Sequence, residues 1–501
     1  MPAEGRCGQR VEQHPQLPLN VEVTMRRAVA PLLVSVCFSS PIACAHGGPS
    51  SPQVQARAAA GSSSERAIRG GTLINPDAPP VPDATVLVRG GRIVCAGAAR
   101  DCPVPSSIPT IDAADGFIGP GLVDAHVHFG QTGWADGRPD FIDVTREYPY
   151  DSVAAELERD PARFGRAYLC SGVTSVFDVG GPSWTVAFAH RTDTATDLPR
   201  VEAAGPLLST LAIPPGWPPR MASQFTYMTT EASIRETVDQ RRALGADAVK
   251  VWYLEIPDSL HDAKRRQLNL AADQARKDRL RLLVHATELP LAKDALRAGA
   301  AVLVHAVDSD TVDAEFLRLA RSTGAVVIPT ARTITGYGDV GLGRSPAARY
   351  PLDCVDPATR RKLTTVLPES LRPPADKVRA FVARTAAIVD TNVARMYSAG
   401  VWLAVGTDAG NPGTAHGPSI YAEMEAMQAA GMPAHAVFTA ATRGGAEAMA
   451  LSSEIGRVAP GYVADLAIFA KDPTKDIANA RTVQWVLRRG MPHRVADLVG
   501  R

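Results

Sequence analysis

The sequence predicts an α/β protein: a (β/α)8 TIM-like barrel carrying a small β-sandwich domain assembled from both chain ends. Three observations lead there. Through the middle of the chain, eight short apolar runs alternate with amphipathic stretches. The runs are nearly continuous in apolar residues, the pattern of parallel strands buried on both faces. Short alternating strands punctuated by turns occur near the two ends instead, and neither set is large enough to stand alone.

The start of the chain reads as processing signals. Residues 1–24 fit neither a signal nor a domain and are taken as an upstream extension. Met25-Arg26-Arg27, an apolar run from Ala28 to Phe38 and Ala43-Cys44-Ala45 make a signal peptide over 25–45, which implies a periplasmic or secreted protein. Lipid anchoring at Cys44 is the less favoured alternative, because Pro41 fits poorly three positions before it. The apolar run is too short for a stable membrane span. Residues 46–64, rich in Gly, Ser, Ala and Pro, form a flexible linker.

After cleavage Cys95, Cys102, Cys170 and Cys354 remain. An oxidising compartment permits disulfides, and Cys95–Cys102, flanking a short turn, is the favoured pair. Cys170 sits in a stretch that looks buried, where a core thiol is expected. No Cys-x-x-Cys is present, which argues against a thiolate zinc site.

The sandwich is expected over residues 65–118 plus 455–495. Its strands are Ala67–Ile74, Thr85–Arg89, Arg92–Gly97 and Ser107–Asp112, then Gly461–Phe469 and Thr482–Arg488. Turns fall at Asn75-Pro76-Asp77 and Gly90-Gly91. The barrel is expected over 119–454. Its eight strands are Gly121–His128, Val173–Val179, Arg200–Gly205, Ala248–Leu254, Leu282–Ala286, Val302–Ala306, Val326–Pro329 and Val401–Thr407. Helices are expected at Ser152–Ser171, Glu231–Leu244, Lys264–Lys277, Leu291–Ala298, Asp310–Arg321 and Lys377–Ser398. The Gly- and Pro-rich stretch after Thr330 reads as a lid.

Charge excludes some partners. Lys plus Arg is 53 and Asp plus Glu is 52, so no overall basic field draws the chain to nucleic acid or an anionic membrane.

Chemistry is expected at the C-terminal ends of the strands. Strand one ends in His126-Val-His128, and alternate residues of a strand share a face about 7 Å apart. Strand four carries Lys250, strand five ends at His285, strand six at His305 and strand eight at Asp408. Any one of these is readily a satisfied core polar group. All six together, each delivered from an apolar run, point to a metal centre.

The set resembles the amidohydrolase superfamily of metal-dependent hydrolases. It is carried by His126-x-His128 after Pro-Gly-Leu-Val-Asp-Ala, Lys250, His285, His305 and Gly-Thr-Asp408. The segments His416-Gly417-Pro418 through Glu423-Met424, Thr439–Thr442 and Gly461-x-x-Ala464-Asp465-Leu466 are similar to the imidazolonepropionase-like and Xaa-Pro dipeptidase-like branch. The resemblance implies two divalent metal ions, zinc fitting the donors. His126, His128 and Asp408 would hold the buried ion and His285 and His305 the exposed one. Lys250 would bridge them as a carbamate formed with CO2.

It further implies an exported amidohydrolase that cleaves an amide C–N bond in a small peptide or N-acyl amino acid. A metal-bridged hydroxide would attack, with Asp408 as general base and then general acid; the family often forms homo-oligomers, and the oligomeric state of this chain stays open. For substrate contacts the candidates are Tyr253, His416 by the same resemblance, and Arg332 just beyond strand seven. Glu288, after His285, reads equally as a group orienting a ligand or as a surface carboxylate. Trp217 among its prolines reads as a cleft rim or a stiff loop. Three rival functions stay open: a lactonase, esterase or phosphotriesterase on the same site, a mononuclear deaminase without Lys250, and a non-catalytic scaffold.

Overall fold

The computed structural model describes residues 65–254 and 256–500. The extension, signal peptide and linker expected over 1–64, with Cys44, lie outside the described residues.

The described residues begin with β1 (Glu65–Asn75) and β2 (Ala78–Arg89), an antiparallel hairpin, and β3 (Arg92–Ala98) returns through Gly90-Gly91. Next, β4 (Thr110–Asp112) and β5 (Phe117–Pro120) both run parallel to β1. The parallel strands follow: β6 (Leu122–Val127), β7 (Val173–Asp178), β8 (Arg200–Ala203), β9 (Leu207–Ser209) and β10 (Phe225–Tyr227). They continue with β11 (Ala248–Trp252), β12 (Arg281–His285), β13 (Val302–Val304), β14 (Val326–Ile328) and β15 (Trp402–Leu403). The chain closes with β16 (Leu466–Phe469), β17 (Val483–Arg488) and β18 (Met491–Arg494).

Both ends of the chain share one sheet, ordered β18-β17-β16-β5-β1-β2-β3 with β4 beside β1. The seam is β16 against β5, Leu466 opposite Pro120 and Ile468 opposite Ile118. The middle of the chain forms two parallel sheets, β6-β7-β8 and β10-β9-β11-β12-β13-β14-β15. Every residue of β6, β7, β13 and β14 is buried, which is why these strands lack a polar alternation. Backbone hydrogen bonds run between the two sheets at both sides. Ala125 donates to Val405 at 2.9 Å and Asp408 to His126 at 2.8 Å on one side; Asp247 donates to Ala203 at 3.0 Å on the other.

Helices lie where the amphipathic patterns predict, at Glu231–Leu244, His261–Lys277, Leu289–Ala298, Ala314–Thr323 and Ala375–Ser398. The structure differs from the sequence expectation at four places. The expected Ser152–Ser171 helix is broken into Tyr150–Arg159, a turn of 3-10 helix and Gly165–Cys170, because Asp160-Pro161 interrupts it. Beyond the third strand, Gly205-Pro206 ends β8, and the separate strand β9 takes the place beside β11. The stretch expected as a lid instead contains the helix Thr333–Gly341. Its glycines serve close packing: a Cβ at Gly336 would stand 2.7 Å from the Pro412 carbonyl.

The fourth difference is Cys170, which is disulfide-bonded to Cys354 rather than a core thiol; Cys95 pairs with Cys102. The Cys170–Cys354 bond closes a separation of 184 residues. A long closed loop removes much entropy from the unfolded chain. Cys170→Ser is therefore expected to lower the unfolding free energy by about 2–4 kcal/mol in a denaturant melt. An unchanged midpoint would show that the bond carries no stability.

Candidate metal centre

The centre is built where β6 meets the segment after β15. Side chains alternate along β6, so His126 and His128 share a face, and their Nε2 atoms lie 3.2 Å apart. Asp408 is brought opposite them by backbone pairing: Asp408 donates to the His126 carbonyl and His128 to the Ala409 carbonyl, both at 2.8 Å. Close approach of the two segments needs Gly406, where a Cβ would stand 2.7 Å from the His126 Cβ. Asp408 Oδ1 is then 3.1 Å from His126 Nε2 and 3.0 Å from His128 Nε2. These three donor groups converge on one point.

The hydrogen-bond chemistry shows what that point suits. His128 Nδ1 lies 2.7 Å from the Gly180 carbonyl, which only accepts, so Nδ1 carries the proton. His128 therefore presents Nε2 to a carboxylate oxygen and a second imidazole nitrogen, a donor set that suits a shared divalent cation. His305 is fixed in the same way. Its Nδ1 is 2.6 Å from the Thr330 hydroxyl, which itself donates to the Pro329 carbonyl, leaving Nε2 unprotonated.

His285 and His305 stand beside this triad, with ring centroids 4.5 Å apart, and the His305 ring lies 4.8 Å from that of His126. Lys250, only 2% exposed, projects into the same cleft from β11. Burial pulls its pKa down to about 7. Burial also keeps His285 and His305 well below the usual imidazole range, with Lys250 adding to the effect on His285 and His285 to that on His305. Although burial pushes it up, His126 and His128 hold the Asp408 carboxyl well below its usual range.

Three residues at the ends of strands here have positive φ: His305 at 79°, Thr330 at 48° and Asp408 at 58°. Such backbone costs about 1–3 kcal/mol per residue and tends to collect at functional sites.

A second layer, not found by sequence reasoning, orients Asp408. Asn411 Nδ2 donates to Asp408 Oδ1 at 2.7 Å. The Asn411 side-chain oxygen accepts from Tyr337 and from Arg138, which fixes which end of the amide faces Asp408. Arg138 is itself clamped on Asp140, at 2.8 and 2.6 Å. Buried Asp124 ties the seam together, accepting from the Thr407 backbone at 2.9 Å and its hydroxyl at 2.7 Å. No spacing rule singles out Arg138, Tyr337 or Asn411, because loops far apart in sequence bring them together.

The cleft over the centre holds about 260 Å³. Its walls include His128, Lys250, His285, His305 and Asp408, while His126 lies beneath them, fully buried. The expected substrate contacts fall elsewhere. Tyr253 is buried and its hydroxyl reaches Asp294 at 3.4 Å, because an even step along the strand from Val251 turns it toward the helices. His416 is buried with both nitrogens engaged, by Tyr168 at 2.8 Å and the Gln131 carbonyl at 3.1 Å, and stacks on Phe164. Arg332 starts the Thr333–Gly341 helix and its guanidinium faces Asp390 at 3.7 Å. Trp252 does line the cleft, its ring tilted against that of Phe225, and Trp217 packs on Phe225. Glu288 is half-buried at the start of the Leu289–Ala298 helix.

Known proteins resemble this chain along most of its length. The sequence model of the amidohydrolase family matches residues 117–491. An imidazolonepropionase of Acidiphilium cryptum (strain JF-5) is 25% identical over 428 residues, 78% of this chain and 88% of that protein. The solved structure of a Xaa-Pro dipeptidase with methionine in its active site superposes with a TM-score of 0.64 at 22% identity, covering 86% of this chain and all of that one. A putative prolidase from Bifidobacterium longum superposes with a TM-score of 0.65 at 19% identity, covering 87% and 97%. At these identities the structural likenesses speak to fold alone: a TIM-like barrel with a small domain.

Proposed function

The chain belongs to the amidohydrolase family, and on that premise we propose that it hydrolyses an amide C–N bond of a small peptide or N-acyl amino acid. One observation carries the reading: His126, His128 and Asp408 converge on a single point, with Lys250, His285 and His305 around the same cleft. The donors fit two divalent cations, zinc by their nitrogen and carboxylate character. His126, His128 and Asp408 would hold one, His285 and His305 the other, with Lys250 as a carbamate between. When bound, the ions supply Lewis acidity, lowering the pKa of a water and polarising a carbonyl.

The chain's own residues supply the proton transfers. Asp408, kept ionised, accepts a proton from the attacking water and returns it to the leaving nitrogen. Asn411 fixes the oxygen that does so. His128 and His305, each anchored through Nδ1, present Nε2 in one tautomer without reorganisation.

The wider assignment follows. The eight parallel segments would close as a barrel over 119–454; the hydrogen bonds on both sides of the two parallel sheets support this. Residues 65–118 and 455–495 would form the companion sandwich domain, supported by their shared sheet. Export is supported by two disulfides, which persist in oxidising compartments. Among the described residues no helix is long and apolar enough to cross a membrane.

The deciding experiment is metal analysis and turnover on one preparation, wild type beside Lys250→Ala, against dipeptides, N-acyl amino acids, a lactone and a phosphotriester. About two metals per wild-type chain, fewer in the variant, and turnover confined to amides are expected. One metal in both, with activity untouched by the substitution, would overturn the bridged-lysine assignment.

A further inference from the structure

The charged groups lining the cleft divide unequally. The only cations among its described lining residues are Lys250 and Arg138. Lys250 belongs to the centre. Arg138 has its donors committed, to Asp140 through Nε and Nη2 and to Tyr337 and Asn411 through Nη1. The cleft thus offers no uncommitted cation to receive a substrate carboxylate.

It does offer an uncommitted anion. Asp308 lines the cleft, and among the described residues it has no ion-pair partner. Its loop is fixed: the Asp308 N–H donates to the Thr287 carbonyl at 3.0 Å, and the Thr287 side chain hydrogen-bonds the carboxyl. Burial lifts this carboxyl to about 6 and the neighbouring Glu288 adds to it, against the Thr287 hydrogen bond and the charge of Arg384. Position in the fold matters as much as charge. Thr287 follows His285 by two residues and Asp308 follows His305 by three, so both leave the strands that carry the second pair of histidines. Trp252 and Phe225, with ring centroids 4.7 Å apart, give the same cleft an aromatic wall, and Trp252 lies 6.0 Å from His285.

We propose that Asp308, supported by Thr287, binds the free α-ammonium of the substrate's acyl half, making this cleft selective for dipeptides with an unblocked amino terminus. The inference rests on the amide-hydrolase reading of the same site. An α-ammonium lies two bonds from the carbonyl that is attacked, so its receptor belongs beside the histidines at that carbonyl, where Asp308 stands. The acyl side chain rests on Trp252 and Phe225. A cavity of about 260 Å³ lies just below the usual range of roughly 300–1,000 Å³ for ligand pockets, which suits a dipeptide better than a longer chain. N-acyl amino acids and N-acylated dipeptides, whose acyl half bears no ammonium, leave the half-buried carboxylate unpaired and are disfavoured.

The test compares L-leucyl-glycine with N-acetyl-L-leucyl-glycine, and a wider set of such pairs, on the metal-loaded full chain. The wild type is expected to favour the free amine by about 100-fold in kcat/KM, the scale of a lost charged hydrogen bond. Asp308→Asn is expected to lower kcat/KM on the free dipeptide by about 30-fold, mainly through KM, and to shrink the preference. Asp308→Glu should restore part of it, with metal content unaltered in both variants. Equal or faster turnover of the acetylated partner by the wild type would overturn the proposal, and so would a preference that survives Asp308→Asn. If the wild type cleaves neither member of any pair, the amide reading fails, and binding judges the subsite. Calorimetry with a phosphinic leucyl-glycine analogue, free and N-acetylated, should then show the same preference and the same loss in Asp308→Asn. No difference in binding would refute it.

Discussion

Asp408→Asn is expected to lower kcat by about a thousandfold or more on whichever amide the wild-type chain cleaves, and to reduce the metal held per chain. The reason is local and specific. Asp408 Oδ1 faces two imidazole nitrogens and accepts from Asn411, so in the proposed mechanism a single oxygen would carry the metal-ligand and proton-transfer roles together. The amide is isosteric and leaves packing intact, but it cannot hold a proton at this position and brings no charge to a cation. Asn411→Ala makes a graded companion. It leaves Asp408 in place but frees it to rotate, and losing such an outer partner typically costs about 10–100-fold. Turnover and metal content of both variants, with thermal melts to confirm folding, give the measurement. If Asp408→Asn kept more than a tenth of the activity at full metal content, Asp408 would not be the proton carrier.

The contrast between these two residues marks what the sequence could reveal. His126, His128, Lys250, His285, His305 and Asp408 each follow or sit within an apolar run, and a strand's two-residue period with the parallel topology sends them to one end. Periodicity is a local signal, so it located β6, β7, β8, β11, β12, β13 and β14 and five of the six predicted helices to within a few residues, while the helices Trp184–Thr192 and Ser419–Ala429 went unpredicted. Asn411, Arg138 and Tyr337 form their network across 273 residues of sequence, and nothing local encodes that. The same limit accounts for Tyr253 and His416. Both follow ligand-bearing strands, as the sequence reading required, yet the direction of a side chain just past a strand depends on packing that only tertiary structure sets. Cys170 illustrates it again. Its apolar surroundings predict a core thiol, while its partner Cys354 comes from the long connection after β14, whose path no periodicity describes.

The motif ending in Ala464-Asp465-Leu466 gains a physical role in the same way, and it yields the largest stability effect expected here. Arg488 of β17 is 1% exposed and Asp465 3%, yet both are ionisable. Arg488 Nη1 lies 3.1 Å from each carboxylate oxygen of Asp465. The rest of its guanidinium leaves the sheet altogether: Nη2 donates to the Thr192 carbonyl at 3.1 Å and Nε to the Leu198 carbonyl at 3.2 Å. Asp465 also accepts from the Arg489 backbone at 2.7 Å. One buried ion pair thus fastens the sheet shared by the chain ends to the segment that follows the Trp184–Thr192 helix.

Removing one member of a buried pair strands the other charge in a poorly solvated site, which costs about 3–5 kcal/mol. Arg488→Met, which keeps the length and the apolar stem, is expected to lose that much in a denaturant melt. Replacing both residues, Arg488→Met with Asp465→Leu, removes the stranded carboxylate and should recover part of the loss. Recovery stays incomplete because the Thr192 and Leu198 carbonyls remain without their donor. A single variant as stable as wild type would sink the account of this pair. A double variant no better than the sum of two singles would show instead that the cost lies in the carbonyls, and that Arg488 serves as a backbone clamp more than as a counter-ion.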